Sequence, residues 1–219
     1  MSEVAEAGKR GVAAPLSPRA AATRQRILDA ALTEFAAHGL AGARVDEIAT
    51  RADANKRMIY AHFGSKEELW LAVLETAYAA KRAEEHALET ADLPPLEAMR
   101  ALVRFNLRYT AAHPEFVALL NQENIHRAAY LKRSGEVPAL YSPLLAALGA
   151  VLARGQREGV FRGGVDAMQL YVSILGLGHF YVANRHTLST IFGAELHTEA
   201  SLAAREAHIE EVVLGYLRP

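Results

Sequence analysis

The 219-residue chain contains no cysteine, which excludes disulfides and thiolate metal sites and is compatible with a reducing cytosol. No uninterrupted apolar run reaches the roughly 18 residues that a membrane span requires. The opening "MSEVAEAGKRGVAAPLSPRA" has no apolar core of the signal-peptide kind. Alternating runs of Val, Ile and Thr are missing too, which argues against sheets. So are a phosphate-binding glycine loop and a Gly-x-Ser-x-Gly elbow, and the nine histidines form no His-x-x-x-His pair. These absences lead us to expect a soluble, cytoplasmic chain without a membrane partner, and with no catalytic residue, cofactor or metal.

What is present is helix-forming. Ala and Leu dominate, 51% of residues are hydrophobic and 22% are charged. That is enough to bury a sizeable all-α core. The net charge of −1 is unevenly spread. Residues 19–66 carry eight Lys and Arg against five acids, while residues 67–219 carry fourteen against eighteen. A basic head on an acidic body suggests local attraction to a polyanion.

The periodicity predicts a flexible tail over residues 1–17 and a first helix over 18–38, stopped by Gly39. A second helix over 45–51 lacks a good N-cap, because Arg44 precedes it. Asn55 can cap a short third helix ending near His62, and Ser65 with Glu68 forms the capping-box pattern that opens a fourth. The break "ETADLPP" follows, and then longer helices over 96–112, 115–132, 142–158, 166–192 and 199–217. We expect a head over residues 18–66 and a larger helical body over 67–219.

Two helices joined by a three- to four-residue turn have the geometry of a DNA-binding helix-turn-helix. Ile48, Ala49, Met58 and Ile59 then face a small core, and Lys56, Arg57, Tyr60 and His62 project outward. Lys66 stands at the next helix N-terminus, where backbone N–H groups favour phosphate. The residue types suit a duplex: cations for phosphate or guanine, Asn55 for a base edge, Tyr and His for backbone oxygens.

The order and spacing go further. Thr23-Arg24-x-x-Ile27-Leu28-x-Ala30-Ala31, Phe35, Gly39, Ile48-Ala49, Ile59-Tyr60-x-x-Phe63 and Ser65-Lys66-Glu67-Glu68-Leu69 together resemble the N-terminal domain of the TetR family of transcriptional regulators. Three departures stand out. Asp53 occupies the turn position usually held by Gly, Arg44 replaces a Ser or Thr cap, and Ala61 replaces a larger side chain. Segments "HPEFVALLNQENIHRAAYLKRS", "LARGQREGVFRGGVD" and "LYVSILGLGHFYVANRHTLSTIFG" are similar to the ligand domains of regulators related to the pyrimidine-utilisation repressor.

The resemblance implies a homodimeric repressor that binds a palindromic operator in double-stranded DNA. It also implies a helical domain for a small-molecule effector. DNA contacts would fall to Arg24, Arg44, Asn55, Lys56, Arg57, Tyr60, His62 and Lys66. Effector would alter the spacing of two recognition helices, which must match major grooves roughly 34–36 Å apart. The fourth helix, over 70–86, is the expected lever.

For the effector pocket we look for polar and aromatic residues on otherwise apolar helices. Phe105, Tyr109, Asn121, Asn124, Tyr171 and His179 fit, with Gln122 beside them. Taken singly, residues of this kind are more often packing aromatics or satisfied core polar groups than ligand contacts. Helices 166–192 and 199–217 are apolar on most faces, so we expect a two-fold interface through Ile174, Leu177 and Val213. Glu123-x-x-His126 has the spacing of a di-iron bundle but no second copy, so we expect a local pair or a contact to Arg127 or Arg108. Gly176 and Gly178 suggest close helix approach. The alternatives are a helical small-molecule-binding module, or an enzyme of unrecognised type, without DNA binding.

Overall fold

The computed structural model describes residues 17–219. The tail expected over residues 1–17 lies outside them except for Ser17, whose hydroxyl accepts from the Ala20 N–H at 3.3 Å and caps the first helix. Ten α-helices follow, with no strand among the described residues: α1 (Pro18–Gly42), α2 (Val45–Arg51), α3 (Lys56–Phe63), α4 (Lys66–His86), α5 (Pro95–Ala112), α6 (Pro114–Ile125), α7 (Glu136–Arg157), α8 (Ala167–Ala183), α9 (Arg185–Phe192) and α10 (Glu199–Leu217). A single 3-10 turn spans Leu131–Arg133.

Local chemistry explains the head. α1 kinks at Gly39, where φ is +65° and a side chain would strike the Gln122 amide. No side chain caps α2 at Arg44; the buried Glu34 carboxylate instead holds the start of the helix by accepting the Arg44 backbone N–H at 3.0 Å. Asn55 caps α3 through the Met58 N–H at 2.9 Å, and Ser65 caps α4 through the Glu68 N–H at 3.1 Å. The Glu68 carboxylate does not complete a capping box; it pairs with Arg133 instead. Between α2 and α3, Asp53 sits at φ +46° and the Ala54 N–H reaches back to the Ala49 carbonyl at 3.0 Å. That closes α2 in a Schellman motif with Asp at the position that favours Gly.

Two cores form. The first gathers Ile27, Phe35, Ile48, Ile59, Leu69, Trp70 and Leu74, and takes in Leu119 from α6. It therefore extends past residue 66 into α4 and borrows from the body. The second gathers Met99, Val103, Leu107, Leu148, Val151, Ile174, Ile209 and Val213 from α5, α7, α8 and α10. Arg100, Arg104 and Arg108, one turn apart on α5, face Glu199, Glu206 and Glu210 on α10.

The body departs from the expected boundaries in three places. α6 stops at Ile125 because Arg127 and Ala128 adopt left-handed conformations, both at φ +56°. α7 begins at Glu136, ahead of Pro138 and Pro143. Pro138 falls in the first turn, where an N–H has no helical partner, so it does not break the helix. The expected helix 166–192 is divided at Asn184 into α8 and α9. α7 is long and apolar enough to cross a membrane by length and composition, with a mean hydropathy of 1.5. Its leucines and valines carry most of that, and one side of the helix packs on α4, α5 and α8 while Ala146, Ala150 and Ala153 are exposed on the other.

α4 also buries a lysine. Lys81 is 3% exposed and lies over the rings of Tyr109 and Phe116, 5.6 and 5.5 Å from their centroids. Burial, with the neighbouring Arg82 guanidinium, lowers its pKa to about 8, against a smaller opposing pull from Glu85.

Two predictions concern stability. An L-residue in the left-handed region costs on the order of 1 kcal/mol that glycine avoids. Asp53→Gly should therefore raise the thermal midpoint by about 2–4 °C in circular dichroism; an unchanged or lower midpoint would show that the Asp side chain repays the strain. The second concerns pH. With its pKa lowered to about 8 in the native state, Lys81 resists protonation there, whereas the unfolded chain holds the proton up to its ordinary 10.5. Stability should rise between pH 8 and 10 before the buried tyrosines reverse the trend. Lys81→Met should be more stable than the parent at pH 7 and lack that rise in denaturant titrations; parallel profiles for the two proteins would overturn the assignment.

Candidate nucleic-acid interface and ligand cavity

α3 rests on the first core through Ile59 and Phe63, and the turn before it is held by Arg26, whose Nε donates to the Ala52 carbonyl at 3.0 Å. This leaves Lys56, Arg57, Tyr60 and Ala61 on the exposed side. Arg57 makes no hydrogen bond or ion pair among the described residues, and Tyr60 is 45% exposed. Lys56 is less free, with its ammonium 2.7 Å from an Asp46 carboxylate oxygen. Both partners are solvated, so the pair is weak and a phosphate can compete for the cation.

The other candidate DNA contacts frame this face. Arg24 lies 5.0 Å over the Phe63 ring. Arg44 is exposed and 3.8 Å from Glu47. His62 is half-buried beside Phe63. Lys66 begins α4 and its ammonium donates to the Ala41 carbonyl at 3.4 Å. The Asn55 side-chain oxygen is occupied in capping, which leaves its amide N–H groups for another acceptor.

The candidate effector residues do not converge. Asn121 and Asn124 are exposed on α6, and the Asn124 amide donates to its own helix at the Leu120 carbonyl. Phe105 and Tyr109 do share a face, with ring centroids 5.4 Å apart, but Tyr109 is buried in a stack on His113 at 3.9 Å. Its hydroxyl is pushed up to about 12 by burial and by Glu84 and Glu115. His179 is half-buried, its pKa lowered by burial and by Lys81. Tyr171 is buried, and its hydroxyl accepts from Arg82 at 2.8 Å. Burial pushes that hydroxyl far up, with Glu85 adding to the effect.

A cavity of about 660 Å³ opens elsewhere, between α4, α5 and α7 beneath the 89–92 loop. Its wall is mostly apolar: alanines, Met99, Leu102, Leu144, Leu148 and Val151. The polar side chains that α4 contributes are Arg82, Glu85 and His86. None of the six expected effector residues lines it; Tyr171 touches it only through Arg82. Arg154 holds the loop over it, donating to the Thr90 and Leu93 carbonyls at 3.1 and 2.8 Å. The Arg82–Glu85 pair, three residues apart in "KRAEEH", reads in sequence as one more solvated helical charge pair, which is why residue type alone did not single it out.

The residues expected at a dimer interface sit as follows. Ile174 and Val213 are each 1% exposed and belong to the chain's own second core, while Leu177 is half-buried. The outward stripe is one register over: Met168, Val172 and Phe180 on α8, with Val212 and Tyr216 on α10. Gly178 allows α8 to close on Leu107 of α5, but Gly176 faces open space. Glu123 binds neither His126 nor Arg127 nor Arg108. It accepts instead from the Trp70 indole N–H at 3.0 Å and from the backbone N–H groups of Tyr130 and Leu131.

Comparison with known proteins agrees with this architecture. Residues 27–73 match the model of bacterial regulatory proteins of the tetR family, and residues 95–213 match that of a tetracyclin repressor-like C-terminal domain. The chain is 37% identical over 210 residues to the HTH-type transcriptional repressor NicS of Pseudomonas putida, covering 96% of this chain and 98% of that one. It is 25% identical over 200 residues to the HTH-type transcriptional regulator RutR of Escherichia coli, covering 90% and 92%. Among solved structures, a putative transcriptional regulator SCO4942 from Streptomyces coelicolor superposes with a TM-score of 0.66 at 28% identity, covering 90% and 99%. With both halves matched in order and nearly full-length likeness to a repressor, the chain belongs to the TetR family of DNA-binding transcriptional repressors, which are not enzymes.

Proposed function

We propose that the protein works in the cytoplasm as a homodimer that holds a palindromic operator through α3 of each subunit and lets go when a small molecule enters the cavity beside Arg82. The observation that carries this reading is the double membership of α4. Its first turns belong to the core that supports α3, and its last turns supply the polar wall of the cavity. A ligand that shifts the C-terminal half of α4 must therefore disturb the seat of the recognition helix. Arg57 and Tyr60 are the principal DNA contacts, with Lys56 released from Asp46 on binding. Arg24, Arg44, His62 and Lys66 meet the flanking phosphates.

The dimer forms through the outward stripe of α8 and α10. Val172, Gly176 and Phe180 recur every four residues on α8, a spacing that puts them on one side of the helix. Applied twice about a two-fold axis, α8 and α10 give a self-complementary four-helix contact.

On DNA, Arg57→Ala should weaken binding to operator fragments selected from the upstream region about tenfold or more if it reads a base, and Tyr60→Phe less. If Arg57 instead touches phosphate, the loss should be uniform across sequences and the salt slope should fall by about one. Equal affinity for both variants and the parent in fluorescence-anisotropy titrations would exclude α3 as the reading helix. On assembly, Val172→Glu and Phe180→Glu should yield folded monomers in sedimentation runs, whereas Ile174→Glu should unfold the chain. Dimers from both surface variants would move the interface elsewhere.

A further inference from the structure

Arg82 is 7% exposed, yet only one nitrogen of its guanidinium is engaged. Nη1 donates to the Tyr171 hydroxyl and pairs with Glu85, while Nε and Nη2 have no acceptor at all. The rings of Tyr141 and Tyr171 lie 4.9 and 5.7 Å from its centre and fix the plane. Nε–H and Nη2–H are not an arbitrary remainder. They are parallel donors on one edge, spaced to meet the two oxygens of a carboxylate. Leaving buried charged donors unmatched is costly, so the edge has a strong preference for an acceptor that reaches it.

Among the buried charges near the edge, Lys81 and Arg82 are two cations and Glu85 is the carboxylate beside them, although Lys81 itself does not line the cavity. Glu85 Oε1 accepts from the Asn106 amide at 3.0 Å and from the Tyr171 hydroxyl at 3.3 Å, while Oε2 has the Arg82 ion pair as its one partner among the described residues. A ligand ammonium would have to compete with Arg82 for Oε2. The rest of the wall is Ala79, Ala83, Ala98, Met99, Leu102 and their neighbours, which want an apolar body.

We propose that the ligand of this cavity is an organic acid with an apolar body and a single carboxylate, held by the Nε–Nη2 edge of Arg82. This rests on the reading of the cavity as the effector site. Both nitrogens are out of reach of water, so binding includes a turn of the guanidinium toward the cavity, past the small side chains of Ala79 and Ala83. Neutral analogues leave the fork half-filled, and amines meet a cation. Polyphosphorylated ligands are disfavoured, because Glu89 and Asp92 line the cavity on its loop side.

The test is thermal unfolding of the full-length protein without DNA, at pH 7, with benzoate, cinnamate and octanoate, each against its primary amide at the same millimolar concentration. At least one acid should raise the midpoint by several degrees, on the order of 5 °C if it exceeds its Kd a hundredfold, and its amide should do markedly less. Arg82→Gln should erase the difference between acid and amide. Arg82→Lys, which keeps the charge but not the fork, should bind the acid about tenfold more weakly in calorimetry, and it decides the matter if Arg82→Gln does not fold. Equal shifts by acids and amides, no shift by any acid, or undiminished acid binding to the Arg82→Lys protein would each overturn the proposal. Titrating the same acid against the operator complex separates the two readings. Acid-selective binding that leaves the complex intact upholds this inference and removes effector release.

Discussion

Glu123 carries a carboxylate that is 4% exposed, and a charge at that depth is tolerable only if its oxygens are hydrogen-bonded. Three donors do so. The Trp70 indole arrives from the start of α4, and the backbone N–H groups of Tyr130 and Leu131 arrive from the segment after α6. Bringing those two N–H groups to one oxygen forces the chain to turn sharply, which accounts for the left-handed Arg127 and Ala128. Trp70 in turn stacks edge-on against Phe35 of α1 and Tyr130. One buried charge thus fixes α4, α6 and α1 relative to one another, and with them the seat of α3.

That anchor gives α4 its mechanical character. Arg82 lies twelve residues beyond Trp70, about 18 Å along a helix. The far end of the same rod holds a buried polar cluster of Arg82, Glu85, Asn106 and Tyr171. Beneath it, α5 is pinned to α10 by paired arginines and glutamates, including the largely buried Glu210. α5 and α10 are therefore poor candidates for movement. α4 has its head-side end clamped by hydrogen bonds and its body-side end facing a cavity, so that end is where a ligand has room to act.

The head shows how little sequence is needed when interactions are local. Asn55, Ser65 and Gly39 act at the positions where the residue types place them. Asp53 adopts the left-handed turn that its place in the motif demands. The body is less local. Val137-Pro138 looks like a break in the sequence, yet α7 begins at Glu136 and places Pro138 in a first turn that tolerates proline. Glu123-x-x-His126 suggests a local pair or a contact to Arg127 or Arg108, whereas the carboxylate is satisfied by the Trp70 indole from α4 and by the backbone of the segment just after α6.

The sequence by itself determined the all-helical class and the tight pair of helices with a cationic outer side, through periodicity, capping and spacing, which act over one or two turns. The family follows from the resemblance of its motifs to known regulators. Only the tertiary structure decided where the cavity lies and which side of α8 and α10 is turned outward. A helix that is apolar all round carries no mark of which side meets its own core, since apolar burial has no direction. Ile174 and Val172 are thus equivalent on paper and opposite in the fold. Likewise, Arg82 and Glu85 become a buried polar wall only because α5, α7 and α8 close over them.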